Sequence, residues 1–284
     1  MFQRSIKGLA VLALLTSLGA CSLLNPENGA GDSAAAAKPQ QVFRQPQLSV
    51  SAAQAASLES AYRQQRQAVN KALGNHAPSG FKAGLTTSEG QQRFNLSEPI
   101  AGVLWPDSEI VSAGTTPVIR RGSFRLPMLE VELAFRVNTL IPEPLASVAE
   151  VRHVISDIMP AVELPDLGFD SEVGMTGEAV VAANAAVRHY LLGEPRPVDM
   201  VDVNAVRTTL IRDGQILERA EATQVMGSQW RSLYWLINKM VSEGWVIQPG
   251  QILLSGAMGT MLPLKEGLYQ VKYSELGELR FQVE

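Results

Sequence analysis

Apolar and polar positions follow two periods along this chain, and the shifts between them mark its elements. Over residues 51–73, Ala55, Leu58, Tyr62, Val69 and Leu73 fall near one helix face, and Gly74 stops the helix. Residues 81–118 hold short apolar runs broken by Gly and Pro, a pattern of strands and turns. Residues 130–137 (EVELAFRV) alternate and then turn apolar, which predicts a strand. Ser147 and Glu150 have capping-box spacing, and Val151, Val154, Ile155 and Ile158 extend a helix to Pro160, before a short strand at 161–164. Asp213-Gly214, between apolar runs at 206–212 and 215–219, predicts a hairpin. Residues 227–244 form an amphipathic helix with Trp230, Leu233, Tyr234, Ile237 and Val241 inward. Short strands follow at 251–254, 268–273 and 279–283. The expected class is mixed α+β: a helical N-terminal segment, a strand-rich C-terminal half and no internal repeat.

The N-terminus breaks this pattern. Arg4 and Lys7 precede an uncharged apolar run at 8–18, shorter than the ~20 residues a membrane span requires. Leu18, Gly19 and Ala20 then lead into Cys21. A basic start, a short apolar core and small residues at the cut describe a secretory signal. Small residues directly before a cysteine resemble a lipobox, so the expectation is a signal at 1–20 and lipid on Cys21. Cys21 is the only cysteine, which excludes an internal disulfide. Several acyl chains on one residue anchor stably where one chain binds marginally. Ser22 follows Cys21, where an Asp would suggest inner-membrane retention, so the expected location is the bacterial cell envelope, at the outer membrane facing the periplasm. Residues 21–47, rich in Ala, Gln, Pro and Gly without apolar periodicity, read as a flexible tether, and 48–284 as one domain.

Charge narrows the partners. Net charge is −4, and loss of 1–20 removes Arg4 and Lys7 and no acid, leaving −6. No basic face for nucleic acid is present in such a chain.

The candidate chemistry is carboxylate. Glu130 and Glu132 are two apart on a predicted strand and therefore share a face. Two like charges so close drive each other toward protonation unless a cation lies between them. Glu163 sits in an apolar stretch (MPAVEL), and a strand-helix-strand excursion returns it beside the pair. Three carboxylates without histidine suit a hard divalent ion such as Mg²⁺ or Mn²⁺. The same spacing also fits a solvated strand face. His76, His153 and His189 lack ligand spacing. Lys82, flanked by apolar residues and glycine, fits either a pH-tuned lysine facing a substrate carboxylate or one snorkelling to water.

From about Ser49 onward the chain resembles the 2-keto-4-pentenoate hydratase branch of the fumarylacetoacetate hydrolase superfamily. Ala61-Tyr62-Arg63-Gln64-Gln65 resembles the family's Ala-Tyr-x-x-Gln, and Phe81-Lys82-Ala83-Gly84-Leu85-Thr86 its Trp-Lys-Ile-Gly-Leu-Thr. Glu130-Val131-Glu132-Leu133-Ala134-Phe135 resembles Glu-Pro-Glu-Ile-Ala-Phe, and Pro160-Ala161-Val162-Glu163 resembles Pro-Ala-Leu-Glu. Trp235-Leu236-Ile237-Asn238-Lys239 and Gly250-Gln251-Ile252-Leu253-Leu254-Ser255-Gly256 resemble Trp-Leu-Ala-Asn-Lys and Gly-Asp-Val-Val-Leu-Thr-Gly. The order and spacing of the pieces carry the specificity.

The resemblance implies Glu130, Glu132 and Glu163 as ligands of a divalent metal and Lys82 as an active-site residue near the substrate carboxylate. It implies water addition to a 2-hydroxy-2,4-dienoate, the metal chelating the 2-oxo acid end. It also has gaps. An acid of the family's Pro-Asp-Tyr-Gly is replaced by Ile100, two hydroxyls of its Asn-Ala-Ser-Ser by Ala186 and Val187, its Gly-His-Pro by Gly227-Ser228-Gln229, and a threonine by Gly259. Three readings follow: a metal-dependent hydratase-like lyase acting on a small 2-oxo or 2-hydroxydienoic acid; a catalytically degenerate envelope lipoprotein binding a ligand or protein partner; and C–C cleavage or decarboxylation on the same scaffold. A homo-oligomer is compatible with each.

Overall fold

The computed structural model describes residues 43–111 and 115–284. The expected signal, the lipid site at Cys21 and the tether up to residue 42 lie outside the described residues. Among the described residues, no helix is long and apolar enough to cross a membrane.

In chain order the main elements are α1 (Leu58–Leu73), β1 (Gly80–Gly84), α2 (Ser88–Arg93), β2 (Ile100–Leu104), β3 (Met128–Val137), α3 (Val148–Val154), β4 (Ile155–Leu164), α4 (Gly177–Ala182), β5 (His189–Leu192), β6 (Arg207–Arg212), β7 (Gln215–Glu221), α5 (Gln229–Ser242), β8 (Ile252–Leu254), β9 (Gly267–Tyr273) and β10 (Gly277–Val283). The class is mixed α+β and strand-rich, as the pattern predicts. One sheet runs β2-β1-β8-β3-β4-β5, and a second runs β7-β6-β9-β10 with Val118–Ile119 parallel to its edge. The strands of the first sheet are almost continuously buried, which is why they read as apolar runs rather than clean alternations.

Helix α1 starts later than its periodicity suggests. Ser57 is the N-cap: its hydroxyl accepts the Ser60 N–H at 3.2 Å, and the Ser60 hydroxyl accepts the Ser57 N–H at 3.0 Å. Tyr62, Gln65, Val69 and Leu73 bury one face. Helix α5 spans less than the expected range, and Tyr234 is half-buried while Leu236 and Met240 join the buried face. The Asp213-Gly214 hairpin forms with positive φ at both residues, 50° and 79°, as a tight right-twisting turn demands.

The helix expected from Ser147 to Pro160 is a correction. It ends at Val154, and residues Ile155–Leu164 are one ten-residue strand. Ser147 makes no side-chain cap, and the Glu150 carboxylate instead accepts the Ala146 N–H at 3.0 Å. A helical apolar spacing that runs into a fully buried strand cannot be told from a longer helix by period alone. Burial between β3 and β5 decides it in favour of the strand.

Residues 43–47 pack on the body. The Phe43 ring stacks on buried Trp105 with centroids 5.8 Å apart and meets His76 edge-on at 5.6 Å. A chain starting at Leu48 is therefore expected to be less stable than one starting at Val42, by about 1–2 kcal/mol from the lost aromatic contacts. Urea unfolding of the two truncations checks this, and equal midpoints refute it.

Candidate functional site

The site forms where one strand stops. β8 is only three residues long, and its last residue, Leu254, pairs with Lys82 of β1 on one side and Ala134 of β3 on the other. Glu132 and Glu130 lie along β3 beyond that end, and Glu130 faces Glu163 directly across the β3–β4 pair. Two-residue periodicity puts Glu130 and Glu132 on one face, and the antiparallel register supplies Glu163 to the same face.

One carboxylate oxygen from each of Glu130, Glu132 and Glu163 lies within 4.8 Å of the others. The structure thus brings together all three glutamates and Lys82. The Lys82 ammonium donates to Glu163 Oε2 at 2.8 Å and stands 3.9 Å from Glu130 Oε2. Glu132 and Glu163 are fully buried, Glu130 partly so. The solvated-face reading of the glutamates and the snorkelling reading of Lys82 are both excluded by this burial.

Burial first, and then Glu163 and Glu130, push the Glu132 carboxyl well above the ordinary carboxylate range. Burial raises Glu163 to about 7, against the opposing pull of Lys82. Burial favours a neutral Lys82, but Glu163, Glu130 and Glu132 together outweigh it and hold the ammonium above its ordinary pKa. The Gly256 N–H donates to Glu132 Oε2 at 2.9 Å. Gly256 sits at φ +111°, and a Cβ there would meet the Thr86 side chain at 2.5 Å, so only glycine aims this amide at the carboxylate.

Charge counting tests the fit to a cation. Fully ionised, three carboxylates and one ammonium would leave two negative charges in a largely dry site, and without a cation Glu132 and Glu163 relieve this by holding protons. Glu132 Oε1 and Glu163 Oε1 are buried and take no hydrogen bond from any amide, hydroxyl or ammonium among the described residues; in the metal-free site a proton shared between the two carboxyls serves them instead. Buried acceptors on one shared face, with oxygen spacings that a single shell of ~2–2.6 Å bonds spans, are what a hard divalent ion satisfies.

The cavity over the triad holds about 150 Å³. Lys82, Glu130, Glu89, Arg93, Thr86, Thr87 and Thr260 give it polar lining, while Leu85, Phe94, Ile100, Leu167, Val180 and Met261 are among its apolar walls. Ile100 and Ala186, two of the positions where the resemblance loses polar groups, face this cavity, joined by Ala185. Val187 does not; it lines a different cavity. Gly259 lines the mouth, and a Cβ on it would meet the Glu218 carboxylate at 2.5 Å. The Gly256 amide, the apolar walls from α4 and the loop after β4, and the charged edge that α2 contributes through Glu89 and Arg93 have no local signature in the sequence. No residue type marks a backbone N–H as functional, and leucines or valines carry no chemical signal.

The turn beside the cavity is strained. Asn184, Ala185 and Ala186 have φ of 58°, 51° and 58°, three consecutive non-glycine residues in the left-handed region. Each costs about 1–2 kcal/mol. The Asn184 side chain holds the turn: its amide donates to the Val103 carbonyl at 2.8 Å and its carbonyl accepts the Val103 N–H at 2.8 Å.

No family model matches the chain. The fold is fumarylacetoacetate hydrolase-like. A 4-oxalocrotonate decarboxylase from Pseudomonas putida G7, complexed with magnesium and adipate, superposes with TM-score 0.74 at 21% identity, over 80% of this chain and 86% of that one. A fumarylpyruvate hydrolase from Pseudomonas aeruginosa, with Mn²⁺ and pyruvate, gives 0.54 at 16% identity, over 72% and 88%. In sequence the chain is 29% identical over 231 residues to a 2-oxo-hept-4-ene-1,7-dioate hydratase of Escherichia coli, covering 78% of this chain and 85% of that protein. It is 28% identical over 205 residues to a 2-keto-4-pentenoate hydratase of Paraburkholderia phymatum, covering 71% and 76%.

Proposed function

We propose that this chain is a divalent-metal-dependent hydratase-like lyase acting on a small 2-oxo or 2-hydroxydienoic acid. The observation that carries it is the convergence of Glu130, Glu132 and Glu163 with two buried oxygens that no amide, hydroxyl or ammonium serves, beside a cavity lined by Glu130 and Lys82. Glu130, Glu132 and Glu163 would hold Mg²⁺ or Mn²⁺, which supplies Lewis-acid polarisation of the 2-oxo group. Lys82, charged and aimed at the same point, would attract the substrate carboxylate and hold or pass a proton at Nζ. The hydratase relatives and the metal-bound structural neighbours support this reading.

The cavity lining is mixed: Leu85, Phe94, Ile100, Leu167, Val180 and Met261 stand beside Glu89, Arg93, Thr86, Thr87 and Thr260. Metal analysis of the purified chain is expected to find one divalent ion per chain, with conversion of 2-keto-4-pentenoate or 2-oxo-hept-4-ene-1,7-dioate once Mg²⁺ or Mn²⁺ is bound. Metal-free protein that gains no activity with Mg²⁺ or Mn²⁺ against either acid would overturn the enzyme reading. A binding protein on the same fold is the second reading, favoured by Ile100 and Ala186 facing the cavity where the resemblance implies polar groups. Metal-dependent binding of pyruvate without turnover of any oxo acid would select it, and release of CO₂ would select decarboxylation.

We further propose that the chain is exported and anchored through Cys21, facing the periplasm from the outer membrane. The basic, apolar and small-residue order before Cys21 supports this. Cys21→Ser is expected to abolish incorporation of labelled palmitate, and incorporation at the unmutated level refutes the anchor.

A further inference from the structure

A second cavity of about 250 Å³ meets the triad cavity at one residue, Ala186. Its lining includes Arg188, Gln45, Asp166, Trp105, Phe169 and Val187. Arg188 Nη1 donates to Gln45 Oε1 at 3.2 Å, but Arg188 Nε and Gln45 Nε2 are both buried with no acceptor. Among the described residues no carboxylate lies within ion-pair distance of Arg188. A half-buried guanidinium is always charged, and a buried donor without an acceptor forfeits its desolvation cost. Both orphan donors are shut off from solvent, but the residues that carry them line the cavity, and the half-buried guanidinium presents an unpaired positive charge to it.

The other charges around this cavity are already engaged. Asp166 accepts the backbone N–H groups of Arg125, Leu126 and Gly168 at 2.9, 2.7 and 3.0 Å. Arg125 pairs with Asp170 at 2.9 Å. Arg188 is left as the one lining charge without a counterpart among the described residues. The rest of the wall is apolar and aromatic: Trp105, Phe169, Val187 and Leu48.

We propose that this cavity binds a small organic carboxylate, its charge set against the Arg188 guanidinium, with Gln45 turning its amide to it, and its carbon body against Trp105 and Phe169. A planar guanidinium matches a carboxylate in geometry and in charge. The site is independent of the metal reading. It shares the strained Asn184–Ala186 turn with the triad cavity, so its occupant bears on one wall of the other.

The test uses the purified full chain in EDTA, with benzoate and its uncharged isostere benzamide titrated calorimetrically at matched ionic strength. Benzoate is expected to saturate one site per chain and to bind at least about tenfold tighter than benzamide. Arg188→Gln is expected to weaken benzoate by about tenfold or more, and Arg188→Lys by less, since it keeps charge but not the fork. Benzoate affinity is expected to be the same in EDTA and in Mg²⁺, which separates this site from the triad. If Arg188→Gln does not fold, Gln45→Ala decides, with an expected loss of about threefold or more. Benzoate binding no better than benzamide, unchanged affinity in folded Arg188 or Gln45 variants, or preference for inorganic phosphate over benzoate would each overturn the proposal.

Discussion

Glu163→Gln is expected to remove metal-dependent stabilisation, leaving a melting temperature in Mg²⁺ or Mn²⁺ equal to that in EDTA. The unmutated chain should show a rise of roughly 5–10 °C, because an ion at about a hundred times its Kd stabilises by about 2.7 kcal/mol and each kcal/mol moves a domain of this size by about 2–4 °C. Glu163 is chosen because it is buried, lies opposite Glu130 in register, and has one oxygen paired with Lys82 and the other with no amide, hydroxyl or ammonium donor. Glutamine keeps the shape and loses the charge, so a lost shift reports ligation rather than packing. The pH dependence has a defined sign. Burial raises Glu163 to about 7, above its unfolded value, so the metal-free fold favours the protonated form. Stability of the metal-free chain therefore falls as pH rises from about 4.5 to about 7, because the folded state binds more protons across that window. Metal binding needs the carboxylate, so the metal-induced shift should be small near pH 5 and full above about pH 7. An identical shift at both pH values, or a shift that survives Glu163→Gln, would sink the assignment.

How much of this was visible in the sequence differs between the two halves of the site. Glu130 and Glu132 were readable as a pair because strand periodicity fixes i and i+2 on one face whatever the tertiary fold. Glu163 stood out as a carboxylate in an apolar run, but its route back was misread. The expected helix up to Pro160 places it one short strand after the helix, whereas a single ten-residue strand, Ile155–Leu164, sets its register against Glu130. The result survived because an antiparallel return delivers the residue to the same place by either route. The start of α1 was misplaced for a related reason: apolar spacing extends across 51–57, but the reciprocal Ser57–Ser60 cap ends the helix there. Long-range pairings left no local trace. Nothing near Gly256 predicts that its amide meets Glu132, and nothing near Arg188 predicts that it lacks an acid partner. The aliphatic replacements at Ile100 and Ala186 were legible as departures, but only the fold shows that both face the triad cavity while Val187 faces another.

Lys82→Met is expected to separate charge balance from chemistry. In the metal-free chain Lys82 is the only cation within ion-pair distance of the triad among the described residues, at 2.8 Å from Glu163 and 3.9 Å from Glu130. Removing one partner of a buried pair costs about 3–5 kcal/mol, so the metal-free variant should unfold at markedly lower urea. Methionine has nearly the length of the lysine stem, which limits the cavity contribution. The three carboxylates remain, and with them the oxygens that fit a divalent ion. The variant should therefore still bind Mg²⁺ or Mn²⁺ and should regain more stability from it than the unmutated chain does, because the ion then replaces the only cation that Lys82 supplied to the triad. Turnover of the preferred oxo acid should fall by about 10²–10⁴, the range for loss of a positioned proton-transfer group. The fall should lie in kcat if Lys82 moves a proton and in KM if it only attracts the substrate carboxylate. Metal content, urea midpoint and the two kinetic constants are all measurable on one preparation. A variant that loses the metal as completely as Glu163→Gln would make Lys82 a scaffold for the triad. One that keeps the metal and most of its activity would remove Lys82 from the reaction altogether.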